Sequence, residues 1–234
     1  MKIHAVVQAR MSSKRLAGKV LCEAEGRPLL DYLIERLQKC TLLDGLEVAT
    51  SDQKSDDPIV RYCERNRIDY MRGALENVAS RFLSAIQKSQ LDAFVRINAD
   101  SPLLDPKIVD IAVSIFRNGD YDLVTNVQKR TFPKGQSVEV VKAATFRESF
   151  PAMKNSDELE HPTKCFYRRT EQFKIFNFTS GPHDYSNVNL CVDTTEDFER
   201  FVGILRRMSK PVSEYHWEEI VTLSGVHQVT SNHV

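Results

Sequence analysis

Residues 92–100 read DAFVRINAD: an apolar run that carries one arginine and ends on an acid. SPLLDP follows, and from Pro106 the apolar residues Ile108, Val109, Ile111, Ala112, Ile115 and Phe116 recur at helical spacing until Asn118-Gly119 closes the helix. A strand that is apolar on both faces and leads into a helix belongs in a parallel sheet covered on both sides. Working outward, the same alternation repeats. Ile3 to Val7 is a short run rich in branched residues, followed by a polar, basic loop from Gln8 to about Gly26. Pro28 opens a helix carrying Leu29, Leu30, Leu33, Ile34 and Leu37. LEVATS, 46–51, reads as the second strand, and Asp57-Pro58 starts a helix with Ile59, Val60 and Cys63 inward. Ile68 to Met71 reads as a third strand. Asn77 to about Gln90 is helical through Val78, Phe82, Leu83 and Ile86, and Tyr121 to Thr125 is the next strand. The expected fold is α/β: a three-layer, mostly parallel sheet with helices on both faces. In such sheets ligands bind beyond the carboxyl ends of the strands, where Asp100 and the loop of Arg10 both fall.

Between 126 and 190 the alternation lapses into turns at Phe132-Pro133-Lys134-Gly135, Pro151, His161-Pro162 and Gly181-Pro182. Strand-like pieces at Ser137–Val141 and Lys174–Phe178, with a short helix between Thr145 and Phe150, read as a small excursion with antiparallel pairing. NLCVDTTEDF then restores the pattern: a strand to Val192, an acid at Asp193, and a helix from Glu196 to about Met208. Trp217 to Val221 reads as a last short helix, and the tail to Val234 has no period. The 234 residues are taken as a single domain, long enough to bury about 70–75% of the unfolded surface without disulfides.

Thirty-two basic residues balance thirty-two acidic ones. Zero net charge argues against a nucleic-acid partner, which calls for a broad basic surface, but leaves room for a local pocket that takes a small polyanion. The five cysteines, Cys22, Cys40, Cys63, Cys165 and Cys191, are odd in number and contain no CxxC. They read as reduced thiols of a cytoplasmic protein rather than a disulfide or zinc framework. No run of 18 apolar residues is present, so no membrane span is expected.

Three places can carry chemistry. QARMSSKRLAGK, 8–19, puts Arg10, Lys14, Arg15 and Lys19 after the first strand, with Ser12, Ser13 and Gly18 keeping the backbone accessible. Such a loop can wrap a di- or triphosphate, or it can be a solvated basic loop. It is neither a Walker A loop nor a dinucleotide fingerprint, because GxxxxGK[ST] and GxGxxG are absent. Arg96 lies inside an apolar strand, where a charge needs a buried partner or a ligand. Asp100 suits an oxygen-ligated Mg²⁺, or serves as a turn residue before Pro102. Asp193 likewise ends a strand before a helix; Thr194 or Thr195 could cap that helix in a loose capping box. His4 reads as structural and Trp217 as packing, whereas His161, after Glu160, reads as a substrate contact or a solvated loop residue. His183, His216, His227 and His233 show no metal spacing. No GxSxG elbow occurs, which argues against a serine hydrolase, and NAD at 98–100 is not the DxD-like motif expected of a glycosyltransferase.

QARMSSKRLAGKVL (8–21) resembles the N-terminal signature of the CMP-sugar synthetases, in particular the branch named after the spore coat polysaccharide biosynthesis protein. The resemblance continues through GRPLLDYLIERL (26–37), VATSDQKSDDPI (48–59), MRG (71–73), Arg81, VRINADSPLLDP (95–106), DLVTN (122–126), FPKGQSVEV (132–140), ELEHPTKCFYRR (158–169) and CVDTTEDFERF (191–201). It implies a nucleotide-diphospho-sugar transferase-like, Rossmann-like fold and transfer of CMP from CTP, with Mg²⁺, to an anionic acceptor. Through it, Arg10, Ser12, Arg15 and Lys19 are expected on the triphosphate, with Arg72 and Arg96 on the nucleotide side. Arg10, Arg15, Lys19 and Asp100 are expected to be catalytic, Asp100 and Asp193 to hold Mg²⁺, and Glu139, Glu160 and His161 to meet the acceptor. It also implies a homodimer formed through the excursion at about 128–185, which would share in acceptor binding. Departures from the signature stand at Ala17, Leu75, Asn77, Ser137 and Pro162; they leave the phosphate and metal residues intact and touch the acceptor side. Transfer of another nucleotide, a phosphorylated or phosphonate acceptor, and a nucleotide-binding protein without activity remain alternatives.

Overall fold

A computed structural model describes residues 1–225; the tail that follows, with His227 and His233, lies outside them. The first strand, β1 (Ile3–Gln8), runs into the basic loop, and a two-residue ribbon, β2 (Glu23–Ala24) and β3 (Arg27–Pro28), precedes α1 (Leu29–Leu37). Next come β4 (Gly45–Ser51), α2 (Asp57–Asn66), β5 (Asp69–Gly73), α3 (Val78–Ser89), β6 (Ala93–Asn98), α4 (Pro106–Asn118) and β7 (Leu123–Thr125). The remaining elements are β8 (Glu139–Lys142), α5 (Ala143–Ser149), α6 (Ser156–Glu160), α7 (Lys164–Arg168), β9 (Ile175–Asn177), α8 (Thr195–Leu205) and α9 (Trp217–Leu223).

Seven strands form one sheet in the order β5-β4-β1-β6-β8-β7-β9. The half built from β5, β4, β1 and β6 is parallel, and β8 enters antiparallel between β6 and β7. The expected excursion is therefore no appendage: two of its strands, β8 and β9, complete the main sheet. Burial on both faces follows from the period of two along each strand. Ala5, Val7, Val95 and Ile97 pack under α1, α2, α4, α8 and α9, while Val6, Phe94, Leu123 and Val141 pack under α3, α5 and α7. On the second face Phe94 packs between Phe82, at a tilt, and Phe146, edge to face, with ring centroids 5.2 Å apart in each pair.

Two expectations change. The run to Val192 is extended, but among the described residues it joins no strand of the sheet and makes a single bridge, Asn189 to Lys134. It crosses the ends of the strands instead of lying beside one, and Val192 N–H donates to the Asp100 carbonyl at 2.9 Å. Gly135, at φ +94°, lets Lys134 come against this segment, where a Cβ would sit 2.8 Å from the Leu190 carbonyl carbon. Strand β6 stops at Asn98, so Asp100 stands in the turn beyond it.

His4 lies far from the carboxyl ends, packed on Gly45 and 3.5 Å from Glu47. Trp217 is buried against Phe132 and Tyr185. Fully buried Arg36 ties α1 to the C-terminal segment by donating to the carbonyls of Leu104, Val212 and Tyr215.

Candidate active site

Beyond the carboxyl ends of β1 and β6 lies a cleft of about 730 Å³. The basic loop forms one wall. It leaves β1 at Ala9, whose N–H reaches the Ala49 carbonyl, and then wraps around one acceptor: the Met11 carbonyl takes the N–H groups of Ser13 and Gly18, both at 2.9 Å. Asp56, fully buried, fixes the start of the wrap by accepting from Met11 N–H at 2.7 Å and from the amide and hydroxyl of Ser51. Gly18 turns with φ +68° into the short helix Lys19–Leu21; a Cβ there would lie 3.1 Å from the Met11 methyl. This turn aims Lys19 inward, where its side chain is only 11% exposed.

Lys19 Nζ lies 3.2 Å from Asp100 Oδ2 and 2.7 Å from Asp193 Oδ1. The two carboxylates meet because Val192 N–H is bonded to the Asp100 carbonyl. The start of α8 then sets Asp193. Thr194 is the cap, Asp197 completes a capping box, and Asp197 Oδ2 accepts from the amides of Asp193 and Thr194 at 3.0 Å each. Burial opposes the charge on Asp197, but these amides hold its carboxyl below its ordinary range. Arg15 Nη2 reaches Asp193 Oδ2 at 3.0 Å, and Arg10 Nη2 reaches Glu160 Oε1 on the opposite wall at 3.0 Å.

The residues expected from the sequence divide into two groups. Arg10, Ser12, Arg15, Lys19, Arg96, Asp100, Glu160, His161 and Asp193 all line the cleft. Arg72 does not: it donates to the carbonyls of Ser51 and Gln53 and pairs with Asp57 at 2.8 Å, on the α2 side of the sheet. Glu139 is buried behind Arg96, whose Nη1 it accepts at 2.6 Å. Burial, with the neighbouring charges of Lys164 and Arg96, pushes the His161 imidazole below its ordinary pKa, which favours the neutral ring. Asp56, Asp197, Gln8, Asn98 and Tyr167 also shape the site; they stand inside the stretches that carry the resemblance, but nothing in those stretches singles them out. Only the hydrophobic period could have found Gln8 and Asn98: they are the polar continuation of the faces that carry Val6 and Phe94.

Five cations line the cleft, Arg10, Lys14, Arg15, Lys19 and Arg96, against four carboxylates, Glu76, Asp100, Glu160 and Asp193, a net of +1. A nucleoside triphosphate carries more negative charge than that, so a divalent cation on the carboxylates would balance the site. Asp100 and Asp193 fit such an ion. They are hard oxygen donors, and both already converge on one cationic centre, the Lys19 ammonium. Among the described residues no group of three or more His, Cys, Asp or Glu is placed to hold a metal, so the remaining ligands would come from phosphate and water. A second depression, about 320 Å³ at the opposite end of the sheet beside Leu37, Cys40 and Ile68, has no comparable convergence of charge. Among the described residues no helix is long and apolar enough to cross a membrane.

Known proteins resemble this chain in sequence and fold. An uncharacterised protein of Methanocaldococcus jannaschii is 32% identical over 207 residues, which is 87% of this chain and 83% of that one. The spore coat polysaccharide biosynthesis protein SpsF of Bacillus subtilis is 26% identical over 226 residues, covering 93% and 92%. The 3-deoxy-manno-octulosonate cytidylyltransferase of Geotalea daltonii is 30% identical over 114 residues, covering 49% and 44%. Among solved structures, a cytidylyltransferase from Leptospira borgpetersenii serovar Hardjo-bovis superposes with a TM-score of 0.90 at 28% identity, covering 95% of this chain and 93% of that one. The family model described as cytidylyltransferase matches residues 4–214. That span runs from the first strand past the second aspartate and takes in every residue that lines the cleft, so the chain belongs to the cytidylyltransferase family.

Proposed function

We propose that this protein transfers CMP from CTP to an acidic sugar, a precursor of a surface polysaccharide, and releases pyrophosphate. One observation carries the reading: in a chain of the cytidylyltransferase family, Lys19 draws Asp100 and Asp193 together at the mouth of a basic loop. The acceptor class is supported by the similarity to 3-deoxy-manno-octulosonate cytidylyltransferases and to the spore coat protein, and by the presence of Arg96 and His161, which are not part of the basic loop, among the residues lining the cleft.

An acceptor hydroxyl would attack the α-phosphorus in line, forming one P–O bond as the bond to the leaving pyrophosphate breaks and the hydroxyl proton is lost. Arg10, Arg15 and Lys19, with Ser12 beside them, are suited to the β- and γ-phosphates. Their charge meets the growing charge of the leaving group where solvent is partly excluded. Asp100 and Asp193 would hold Mg²⁺, which when bound supplies charge neutralisation on the reacting phosphates. Glu160 keeps Arg10 extended across the cleft. No covalent nucleophile is needed; the protein positions the reactants and compensates charge.

The test is pyrophosphate release with Mg²⁺, CTP and 3-deoxy-manno-octulosonate, against UTP, ATP and GTP and against sugar phosphates. Release that requires CTP and an acidic sugar is expected. A preference for GTP would keep the chemistry and overturn the cytidine assignment. We also propose a homodimer through about 128–185, where β9 is the edge strand of the sheet and carries Phe176 at 37% exposure. Sedimentation at micromolar protein is expected to give twice the chain mass, and a monomer alone would overturn this.

A further inference from the structure

Toward the cleft, the sheet face under α3 and α5 turns from apolar to polar. Two residues on from Phe94 stands Arg96, two before Val141 stands Glu139, and two after Leu123 stands Thr125. Tyr167 of α7 comes down on this patch. Hydrogen bonding there has one consistent direction. A carboxylate only accepts, so Tyr167 donates to Glu139 Oε1 at 2.6 Å. The phenol oxygen then accepts from Thr125 Oγ1 at 2.8 Å, and Thr125 Oγ1 accepts from Val127 N–H at 3.0 Å. At the other end Arg96 Nη1 donates to Glu139 Oε2 at 2.6 Å. The chain is anchored on a backbone amide and terminates on the guanidinium.

That guanidinium is incompletely used. Arg96 is 10% exposed, yet among the described residues its Nε is buried with no hydrogen-bond partner, and Nη1 also lies 3.5 Å from the Thr163 hydroxyl. A buried donor left over is costly unless something fills it. Arg96 borders the cleft, and Glu139 does not. Beside it Gln8 and Asn98, register partners on β1 and β6, each have a buried amide oxygen without a partner among the described residues.

We propose that Glu139 and Tyr167 are positioning residues: they lock Arg96 by one Nη so that its free Nε edge receives an oxyanion, carboxylate or phosphate, of the second substrate. This rests on reading the cleft as a nucleotidyl-transfer site, where the 10–19 loop already supplies cations for CTP. The spare oxygens of Gln8 and Asn98 suit hydroxyl donors, so the ligand is a polyhydroxylated anion. Glu139 acts through Arg96 and does not touch that ligand.

The test follows the Arg96 Nε–H signal by NMR in ¹⁵N-labelled full-length protein, assigned by its loss in Arg96→Lys. 3-Deoxy-manno-octulosonate, its methyl ester and glucose 1-phosphate are the probes. The acid is expected to shift the signal and the uncharged ester not to; a shift with glucose 1-phosphate alone would assign the oxyanion as phosphate. In Tyr167→Phe the titration midpoint should rise about fivefold, and in Glu139→Gln about tenfold or more, with CTP affinity by calorimetry unchanged within about twofold. Should Glu139→Gln fail to fold, Tyr167→Phe carries the test. No shift with either anion, an unchanged midpoint in Tyr167→Phe, or equal loss of CTP and anion binding overturns the proposal. A shift with the acid but no pyrophosphate release upholds it while overturning transfer to that acceptor.

Discussion

Asp100→Asn and Asp193→Asn are each expected to lower Mg²⁺-dependent turnover by about 10²–10³-fold. Each removes one of the two carboxylates proposed to neutralise the reacting phosphates, a contribution of several kcal/mol at about 1.4 kcal/mol per factor of ten. Asparagine preserves shape and can still hydrogen-bond, so the fold should survive. Both aspartates are partly exposed, and their local geometry is set by other groups: the bond from Val192 N–H to the Asp100 carbonyl, and the capping box of Thr194 and Asp197 at α8. Asp197→Asn is a useful contrast. It leaves both carboxylates in place but weakens the two bonds that orient Asp193, so a smaller loss, about tenfold, is expected. Turnover in Asp100→Asn or Asp193→Asn within about threefold of wild type, with unchanged thermal unfolding, would remove the two-aspartate site.

Why those aspartates were legible while their partners were not is a matter of range. Asp100 follows an apolar strand and precedes a helix, and in an α/β sheet that position lies at the ligand-binding edge wherever the strand sits. Asp193 shows the same pattern, but the run before it is no strand, and the bond from Val192 N–H to the Asp100 carbonyl is what brings it to that edge. The period of two also exposes the inward faces of β1, β4 and β6, so the parallel half of the sheet follows from the chain. The place of β8 does not. VEVV reads equally well as an edge strand or an inserted one, and only the pairing of Val140 with both Val95 and Val124 makes it internal. The segment ending at Val192 shows the opposite failure. Val188, Leu190 and Val192 alternate like a strand and are buried, but they pack across strand ends, and burial alone produces the same pattern. Asp56 was hidden among the acids of SDQKSDDP, where an exposed first helical turn is the ordinary expectation. Its complete burial depends on a loop 45 residues earlier folding over it. Tyr167 and Thr125 are similarly invisible, because their bond joins residues 42 apart whose only common feature is the face on which they land.

Lys19→Ala should weaken CTP about tenfold or more while changing CMP by less than about threefold, and Arg15→Ala should do the same to a smaller degree. A charge-assisted hydrogen bond contributes about 1.5–3 kcal/mol, which spans about ten- to hundredfold in affinity, but exposure decides where in that range a residue falls. Arg15 is 64% exposed, so solvent and salt screen its pull on a phosphate. It also gives up Asp193 to make that contact, which places it at the low end. Lys19 is 11% exposed and fixed between two carboxylates, so its charge acts in a less screened setting. Its removal has a second consequence: Asp100 and Asp193 lose the cation they share, leaving only the exposed Arg15 on Asp193, and the protein should become more dependent on Mg²⁺ for thermal stability. Calorimetric titration of CTP and CMP with Mg²⁺, on wild type and both variants at low and moderate salt, reads all of these effects. The Arg15→Ala deficit should shrink as salt rises, and the Lys19→Ala deficit should persist. Equal loss of CTP and CMP in Lys19→Ala would show that the loop does not discriminate the triphosphate. A deficit in Arg15→Ala as large and as salt-resistant as that of Lys19→Ala would show that nucleotide binding buries Arg15, which would make closure of the loop over the phosphates part of recognition.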